Sequence, residues 1–259
     1  MFLALWFPRL LGERWISRYS TSDPFKKSTI LLSIVAILYL KGFFMIKTAF
    51  IFSTLIATSL FAQFNANIST ITPDIKERMI NGNSWREGCP VSLENLRYLQ
   101  IAYLDFNGQT QMGEMIVHKS IATNTVYLFE DLYYMNYAID KMKLVSDYNG
   151  DDWQSIESDN TSAFNCRPVS GKKKKWSKHA YGKAIDINPI ANPYISSSGY
   201  ISHRASYRYK IRRHIDIDNL RDRALLLSSD PATQAFKKYG FSWGGDWKSM
   251  KDYQHFFVK

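Results

Sequence analysis

Two short stretches in the C-terminal half of the chain decide how it is interpreted. The first is Ser177-Lys178-His179-Ala180-Tyr181-Gly182-Lys183-Ala184-Ile185-Asp186. The second is Asp252-Tyr253-Gln254-His255-Phe256-Phe257. His179, Asp186 and His255 are nitrogen and oxygen ligands without a thiolate, the set a catalytic zinc site needs, since its fourth position stays open for water. The pattern predicts one zinc ion, with Asp252 as the general base.

Outward from these stretches, the hydrophobic pattern predicts a small antiparallel sheet with packed helices. Residues 185–187 and 255–258 are typical of short strands. Residues 99–106 and 113–118 flank Asn107-Gly108, a strong hairpin signal. Residues 124–142 carry apolar side chains at helical spacing and predict a helix packed on the sheet. One α+β domain is the economical interpretation.

The remaining segments add weaker predictions. Residues 142–148 resemble another strand, and residues 219–227 and 231–239 resemble helices, the latter capped by Gly240. Residues 151–171 are polar and rich in turn formers, so we expect an active-site loop there.

The N-terminal residues 1–62 form an apolar presequence. Neither of its apolar runs, residues 30–40 and 48–62, reaches the ~18 uninterrupted residues of a membrane span. Residues 45–62 combine a short basic start, an apolar core and a plausible cleavage point, which predicts a signal peptide. Met45 would then be the initiator and residues 1–44 a misassigned start; the alternative is an uncleaved membrane anchor. Residues 63–73 would be a linker, and residues 74–259 the folded domain.

Charge and cysteine content limit the classes of function. The whole chain has a formal charge of +10, but residues 63–259 hold 26 basic and 21 acidic residues, a net charge of +5. This suits an anionic polymer such as the cell wall, or an ordinary soluble surface. No motif supports nucleic-acid binding. The lysine run at residues 172–175 is interpreted as a solvated loop tip, with a dedicated binding patch as the alternative. Cys89 and Cys166 allow one disulfide in an oxidising compartment.

Four ordered motifs carry a family resemblance. They are Asn165-Cys166-Arg167, Ser177-x-His179-x-x-Gly182-x-Ala184-x-Asp186-x-Asn188-Pro189, Trp243-Gly244-Gly245-x-Trp247 and Asp252-x-x-His255-Phe256. From about Ser84 onward the chain resembles the D-alanyl-D-alanine carboxypeptidase (VanY-type) and L-alanyl-D-glutamate zinc metallopeptidases. The resemblance implies an α+β fold shared with hedgehog-type domains, a single zinc ion, and cleavage of peptide bonds in the stem peptides of peptidoglycan.

The resemblance also implies a role for each main site residue. His179, Asp186 and His255 correspond to the zinc ligands, as the ligand types already suggested. Asp252 matches the catalytic carboxylate; its alternative role is to orient a histidine ligand. Arg167 corresponds to an arginine that binds the substrate carbonyl and stabilises the oxyanion, with an ordinary salt bridge as the alternative.

Other residues are predicted to support the site. Ser177 is expected to form a hydrogen bond within it, and Asp152 to position either the peptide amine or the arginine. Trp243 and Trp247 would floor the substrate groove or lie in the core. The small residues Gly182 and Ala184 would let the backbone approach the metal. The stretch from Tyr194 to Arg213 departs from the family pattern and is expected to rim the cleft.

Two functions of different classes remain open at this point. One is an exported, monomeric zinc peptidase of the periplasm or cell envelope, which removes a terminal D-alanine or cleaves within stem peptides. It would contact a membrane only through an uncleaved N-terminal anchor. The other is a non-catalytic, zinc-containing wall-binding module. Asp252 and Arg167 weigh against the module, because a structural zinc site needs neither and usually has four protein ligands.

Overall fold

A β-hairpin forms one side of the fold. In this computed structural model, which describes residues 63–214 and 216–259, a three-stranded antiparallel sheet has the order β1 (Ala66–Ser69), β2 (Leu96–Leu104) and β3 (Thr110–His118). Strands β2 and β3 pair along their full length, from Leu96 opposite His118 to Leu104 opposite Thr110. The Asp105 carboxylate accepts hydrogen bonds from the backbone N–H groups of Asn107 and Gln109 and so closes the turn. The predicted hairpin is confirmed.

The other elements are shorter. The helices are α1 (Pro73–Asn81), α2 (Ala122–Tyr134), α3 (Asp152–Glu157), α4 (Leu220–Arg223) and α5 (Pro231–Lys238). The further strands are β4 (Lys141–Met142), β5 (Asn160–Thr161), β6 (Pro168–Val169), β7 (Lys172–Trp176), β8 (Ala184–Asp186), β9 (Tyr194–Ile195), β10 (Ser242–Trp243), β11 (Lys251–Asp252) and β12 (His255–Phe257). The mixture of helices with small, mainly antiparallel sheets confirms the α+β class. Within the described residues, no helix is long and apolar enough to cross a membrane.

The main core joins the hairpin to a second sheet. Strand alternation directs Leu99, Ile101, Met115 and Val117 into one apolar cluster. Side chains from α2, α5 and the β10-β12-β8 sheet complete it: Leu128, Phe129, Leu132, Ile185, Phe236, Trp243 and Phe256. The opposite face of the hairpin packs through Ile116 under α1. Both β8 and β12 are therefore anchored in the core, and these two strands carry candidate zinc ligands.

Several local predictions were wrong. Residues 63–73 are not only a linker, because β1 lies there and pairs with β2. Helix α2 ends at Tyr134 rather than near Met142, since Asn136 adopts a left-handed φ of 56°. Residues 142–148 form a 3-10 helix (Val145–Tyr148) after the short β4, not a strand. Residues 151–171 contain α3 and short strands, and the lysine run belongs to β7, not to a loop tip.

The predicted signal peptide lies outside the described residues.

Cys89 and Cys166 form a disulfide that joins segments 77 residues apart in sequence. A crosslink over so long a loop restricts the unfolded chain and typically adds about 2–4 kcal/mol to the free energy of unfolding. We therefore expect the Cys89→Ala, Cys166→Ala double variant to unfold at a markedly lower temperature than the unmodified protein in thermal denaturation. Excess reductant should also lower the unfolding temperature of the unmodified protein. Equal midpoints in all three samples would contradict a stabilising role.

The buried Asp159 gives a prediction on pH and stability. Burial raises the pKa of this carboxyl to about 6, although its hydrogen bond from the Ile190 N–H opposes the shift. Because the folded pKa lies above the unfolded value, the favourable protonated form is fully present below pH ~4 and its contribution is lost as the pH rises through 6. We expect Asp159→Asn, which keeps the acceptor, to stabilise the protein by about 1–3 kcal/mol at pH 7.5 and by little at pH 4. Denaturant unfolding at both pH values measures this; an equal effect at both would contradict it.

Candidate metal centre and catalytic cleft

The three candidate zinc ligands come from two neighbouring strands and one helical turn. Strands β8 and β12 pair antiparallel, with Asp186 directly opposite His255. His179 begins the 3-10 turn His179–Tyr181 just before β8. Reciprocal backbone hydrogen bonds with Ser162 hold Asp186 from the other side. Residues distant in sequence are thus brought to one point by strand register.

The ligand atoms face one another. His179 Nε2 lies 3.2 Å from Asp186 Oδ2 and 3.2 Å from His255 Nδ1. His255 Nδ1 lies 2.9 Å from Asp186 Oδ1. The three groups lie within 4.8 Å of one another, and His179 and Asp186 are buried. The predicted trio therefore forms a compact cluster with one candidate ligand atom from each residue.

The donor set fits a zinc ion. His179 Nδ1 contacts the Ala163 carbonyl oxygen, so this nitrogen carries a proton and, in the neutral ring, Nε2 presents its lone pair to the centre. The neighbouring His179 and His255 hold the pKa of the Asp186 carboxyl well below its usual range, although burial opposes the charged form. Two imidazole nitrogens and one carboxylate that converge in this way match the ligands of catalytic zinc sites.

Asp252 lies beside this cluster at the end of β11. Its Oδ1 atom is buried and has no hydrogen-bond partner among the residues that the structure describes. Burial raises the pKa of Asp252 to about 6, and the nearby Asp186 charge adds to the shift, while His255, His179 and Arg167 oppose it. A carboxylate that is poorly compensated by the protein and lines an open cleft is suited to exchange a proton with a bound molecule.

Arg167 and Asp152 form an ion pair on the cleft wall. Asn165 donates from Nδ2 to the Asp152 Oδ1 atom over 2.7 Å and holds this carboxylate in place. Of the two roles predicted for Asp152, these contacts favour that of positioning the arginine. The ion pair was the alternative role for Arg167; the structure shows that it exists and that the arginine still lines the cleft.

Ser177 and the two motif tryptophans have different positions. Ser177 is buried, and its hydroxyl accepts a hydrogen bond from the His179 N–H, as expected for a residue that supports the site. The prediction that Trp243 lies in the substrate groove was wrong. Trp243 is 3% exposed, stacks on Phe256 in the core and donates from Nε1 to the Tyr253 carbonyl. Trp247, four residues later, lines the cleft instead.

Glycines have two distinct roles near the ligands. Gly182 has a left-handed φ of 65°, and an added Cβ would lie 2.6 Å from the His118 backbone nitrogen. The backbone at Gly182 therefore approaches the hairpin. The predicted approach to the metal centre was wrong. At Gly244, an added Cβ would lie 2.5 Å from the Asp252 carbonyl oxygen. This second glycine allows the Trp-Gly-Gly turn to lie directly against the strand that carries Asp252.

The cleft around the cluster is large, with a volume of about 1240 Å³. Tyr194 and His203 line it, which confirms that the stretch from Tyr194 to Arg213 contributes to the rim. Trp153 and Gln254 are among the lining residues that sequence reasoning missed. Trp153, half exposed, packs against the tilted His203 ring with the ring centroids 4.0 Å apart, and Gln254 has a buried Oε1 atom with no partner in the described part of the chain. The position of Gln254 within Asp252-x-x-His255 was the signal that could have revealed it.

Comparison with known proteins agrees with this geometry. A family model described as D-alanyl-D-alanine carboxypeptidase matches residues 170–258, which include the three candidate ligands, Ser177 and Asp252 but not Asp152 or Arg167. No curated protein and no solved structure matches the chain.

The match defines the class of protein. The C-terminal part of the chain is of the metallopeptidase type, with the His-Asp-His cluster as its candidate metal centre. Over residues 170–258 the chain is similar to the D-alanyl-D-alanine carboxypeptidase family, whose peptidases are zinc-dependent, and the resemblance drawn from the motifs is confirmed.

Proposed function

We propose that this protein is a zinc-dependent peptidase that hydrolyses peptide bonds in the stem peptides or cross-links of peptidoglycan. The observation that carries the proposal is the position of the Asp252 carboxylate, beside three convergent ligand groups and in one cleft with Arg167. The proposal includes the hedgehog-type fold implied by the family, a monomer, and a location in the periplasm or cell envelope, with the N-terminal segment as signal peptide or anchor.

His179, Asp186 and His255 would hold the metal. When bound, zinc supplies Lewis acidity, which lowers the pKa of water and polarises a peptide carbonyl. The protonated Nδ1 of His179, held by the Ala163 carbonyl, keeps the ring oriented with Nε2 toward the centre.

Asp252 and Arg167 would handle the proton and the developing negative charge. The Asp252 carboxylate takes a proton from the attacking water as the oxygen–carbon bond forms, and passes it to the leaving amine as the carbon–nitrogen bond breaks. The Arg167 guanidinium donates to the carbonyl oxygen while charge develops there. Its ion pair with Asp152 limits its movement, so little reorganisation is needed during the reaction.

The size of the cleft favours a substrate longer than a terminal dipeptide. Its volume of about 1240 Å³ exceeds the roughly 300–1,000 Å³ of ordinary small-ligand pockets. Several residues of a stem peptide fit in such a space, which supports cleavage within the peptide as well as release of a terminal D-alanine.

Mass spectrometry of purified muropeptides tests the proposal. The zinc-loaded full-length protein is incubated with muropeptides beside an Asp252→Ala sample. Loss of a terminal D-alanine would identify a carboxypeptidase, and scission inside the stem or cross-link an endopeptidase, provided that the variant is silent. Unchanged muropeptides in both samples would contradict the proposal and leave the wall-binding module as the better interpretation.

The contact between Gly244 and Asp252 yields a further prediction. In Gly244→Ala, the added methyl group would overlap the Asp252 backbone, so β11 must shift and carry the carboxylate with it. We expect kcat on muropeptides to fall about 10- to 100-fold, because small displacements of catalytic groups have large effects. Zinc content should stay the same, since no candidate ligand lies on β11. A kcat equal to that of the unmodified protein would contradict this account.

A further inference from the structure

Among the side chains that the structure describes, four lysines line the same cleft as the candidate metal centre. They are Lys174, Lys175, Lys178 and Lys183, and we call them the lysine cluster. Lys174 and Lys175 are exposed on strand β7, and Lys178 and Lys183 are partly buried on either side of the His179 turn. The cluster therefore adjoins the candidate reaction centre along the chain and shares its open volume.

Within the described residues, no ion pair compensates the positive charge of the cluster. In the described part of the chain, the carboxylates that line the cleft are Asp152, Asp186 and Asp252. Asp152 pairs with Arg167, and the other two belong to the metal and proton chemistry. Lys174, Lys175 and Lys178 form no ion pair with any residue that the structure describes. Lys183 Nζ donates a hydrogen bond to the Lys259 backbone oxygen, at 3.3 Å.

The strand that carries two of these lysines is firmly attached. Trp176, at the end of β7, packs against the apolar cluster beneath α1 and lies opposite Pro168 of β6. Strand β6 in turn follows Cys166, which is bonded to Cys89. An anchored hairpin reduces the entropic cost of ordering a charged surface when a ligand binds.

We propose that the lysine cluster is a carboxylate-binding subsite, and that the enzyme prefers acidic peptides, with free carboxylates next to the scissile bond, over the same peptides with carboxamides. The inference rests on the proposed peptidase function and names its substrate class. Ammonium groups without carboxylate partners among the described residues attract anionic ligands, and the excess of lysine and arginine over aspartate in the cleft lining raises the local concentration of such a substrate.

Paired stem peptides test the preference. Two synthetic peptides of the same sequence carry either a free carboxylate or a carboxamide on the glutamate residue. Hydrolysis is measured with the full-length zinc-loaded protein, with Lys174→Gln/Lys175→Gln, and with Lys76→Gln/Lys119→Gln. The last pair removes the same charge from exposed lysines outside the cleft.

We expect the cluster variant to raise KM for the free-carboxylate peptide about tenfold and to raise KM for the carboxamide much less. The control variant should behave like the unmodified protein. An unaltered KM, equal losses for both peptides, or an equal loss in the control variant would overturn the subsite.

Calorimetric binding to Asp252→Asn, at low and high salt, separates this inference from the proposed function. Weaker binding of the acidic peptide at high salt, and after the Lys174/Lys175 change, supports the subsite even if the unmodified protein cleaves neither peptide; that result would contradict only the peptidase. If the Kd were the same for the free-carboxylate and carboxamide peptides and did not change with salt concentration, the subsite would be overturned, whether or not the protein is active.

Discussion

The Asp252→Asn variant is expected to lose about 10²- to 10⁴-fold in kcat on muropeptides while it still binds one zinc ion. The amide has the shape of the carboxylate but does not take up a proton at neutral pH. Because Asp252 is not one of the convergent ligands, the metal should be retained. The variant therefore separates proton transfer from metal binding.

The size of this effect follows from the surroundings of the carboxylate. The Asp252 Oδ1 atom is buried without a partner in the described residues, so the protein uses this atom for no hydrogen bond of its own. A group that orients His255 would form a hydrogen bond to its ring, and no such bond from Asp252 is present among the described residues; the ring nitrogen Nδ1 contacts Asp186, another candidate ligand. The structure thus favours the catalytic role of Asp252 over the alternative of orienting a histidine.

A matched control is available in the same segment. Asp246 lies in the turn Gly244–Asp246, is exposed, and pairs with Lys237 on α5. Asp246→Asn removes the same charge close by in sequence and should keep kcat within about twofold, as is usual for surface changes. If both variants lost activity equally, or if Asp252→Asn lost zinc, the general-base role would be wrong.

The convergence of the three candidate ligands and the β2–β3 hairpin were predictable for physical reasons. His179, Asp186 and His255 are recognisable because few sets of side chains can bind a catalytic zinc ion. The order of the motifs along the chain reduces the number of candidate ligands further. The β2–β3 hairpin has long strands with regular alternation and a strong turn signal. The hairpin signal is local, and each zinc motif is recognised within its own short stretch, although His179 and His255 lie 76 residues apart.

The failures concern elements that are defined by distant contacts. Strands β1 and β4 are short and exist through pairing with β2 and β5, and sequence periodicity does not reveal such partners. Trp243 and Trp247 lie four residues apart in one short motif. Which tryptophan faces the cleft depends on the pairing of β10 with β12, which directs Trp243 into the core beside Phe256. The assignment of one aromatic residue to the groove therefore required the tertiary structure.

The second large effect is expected at the metal centre itself. In His179→Ala, zinc affinity should fall at least about a hundredfold, more than the tenfold to hundredfold typical of losing a group that only orients a ligand. The lost imidazole is buried, and its Nε2 atom lies 3.2 Å from each of the other two ligand groups. Elemental analysis should show one zinc per chain in the unmodified protein and almost none in the variant.

Stability gives an independent readout of the same loss. A ligand that binds only the folded state at one hundred times its Kd stabilises it by about 2.7 kcal/mol, so added zinc should raise Tm of the unmodified protein and not that of His179→Ala. His203→Ala is the control, because this histidine is also buried and lines the cleft but pairs with Glu157. It should keep both the zinc and the Tm shift. If His179→Ala kept the shift, or if His203→Ala lost it, the cluster of His179, Asp186 and His255 would not be the zinc site.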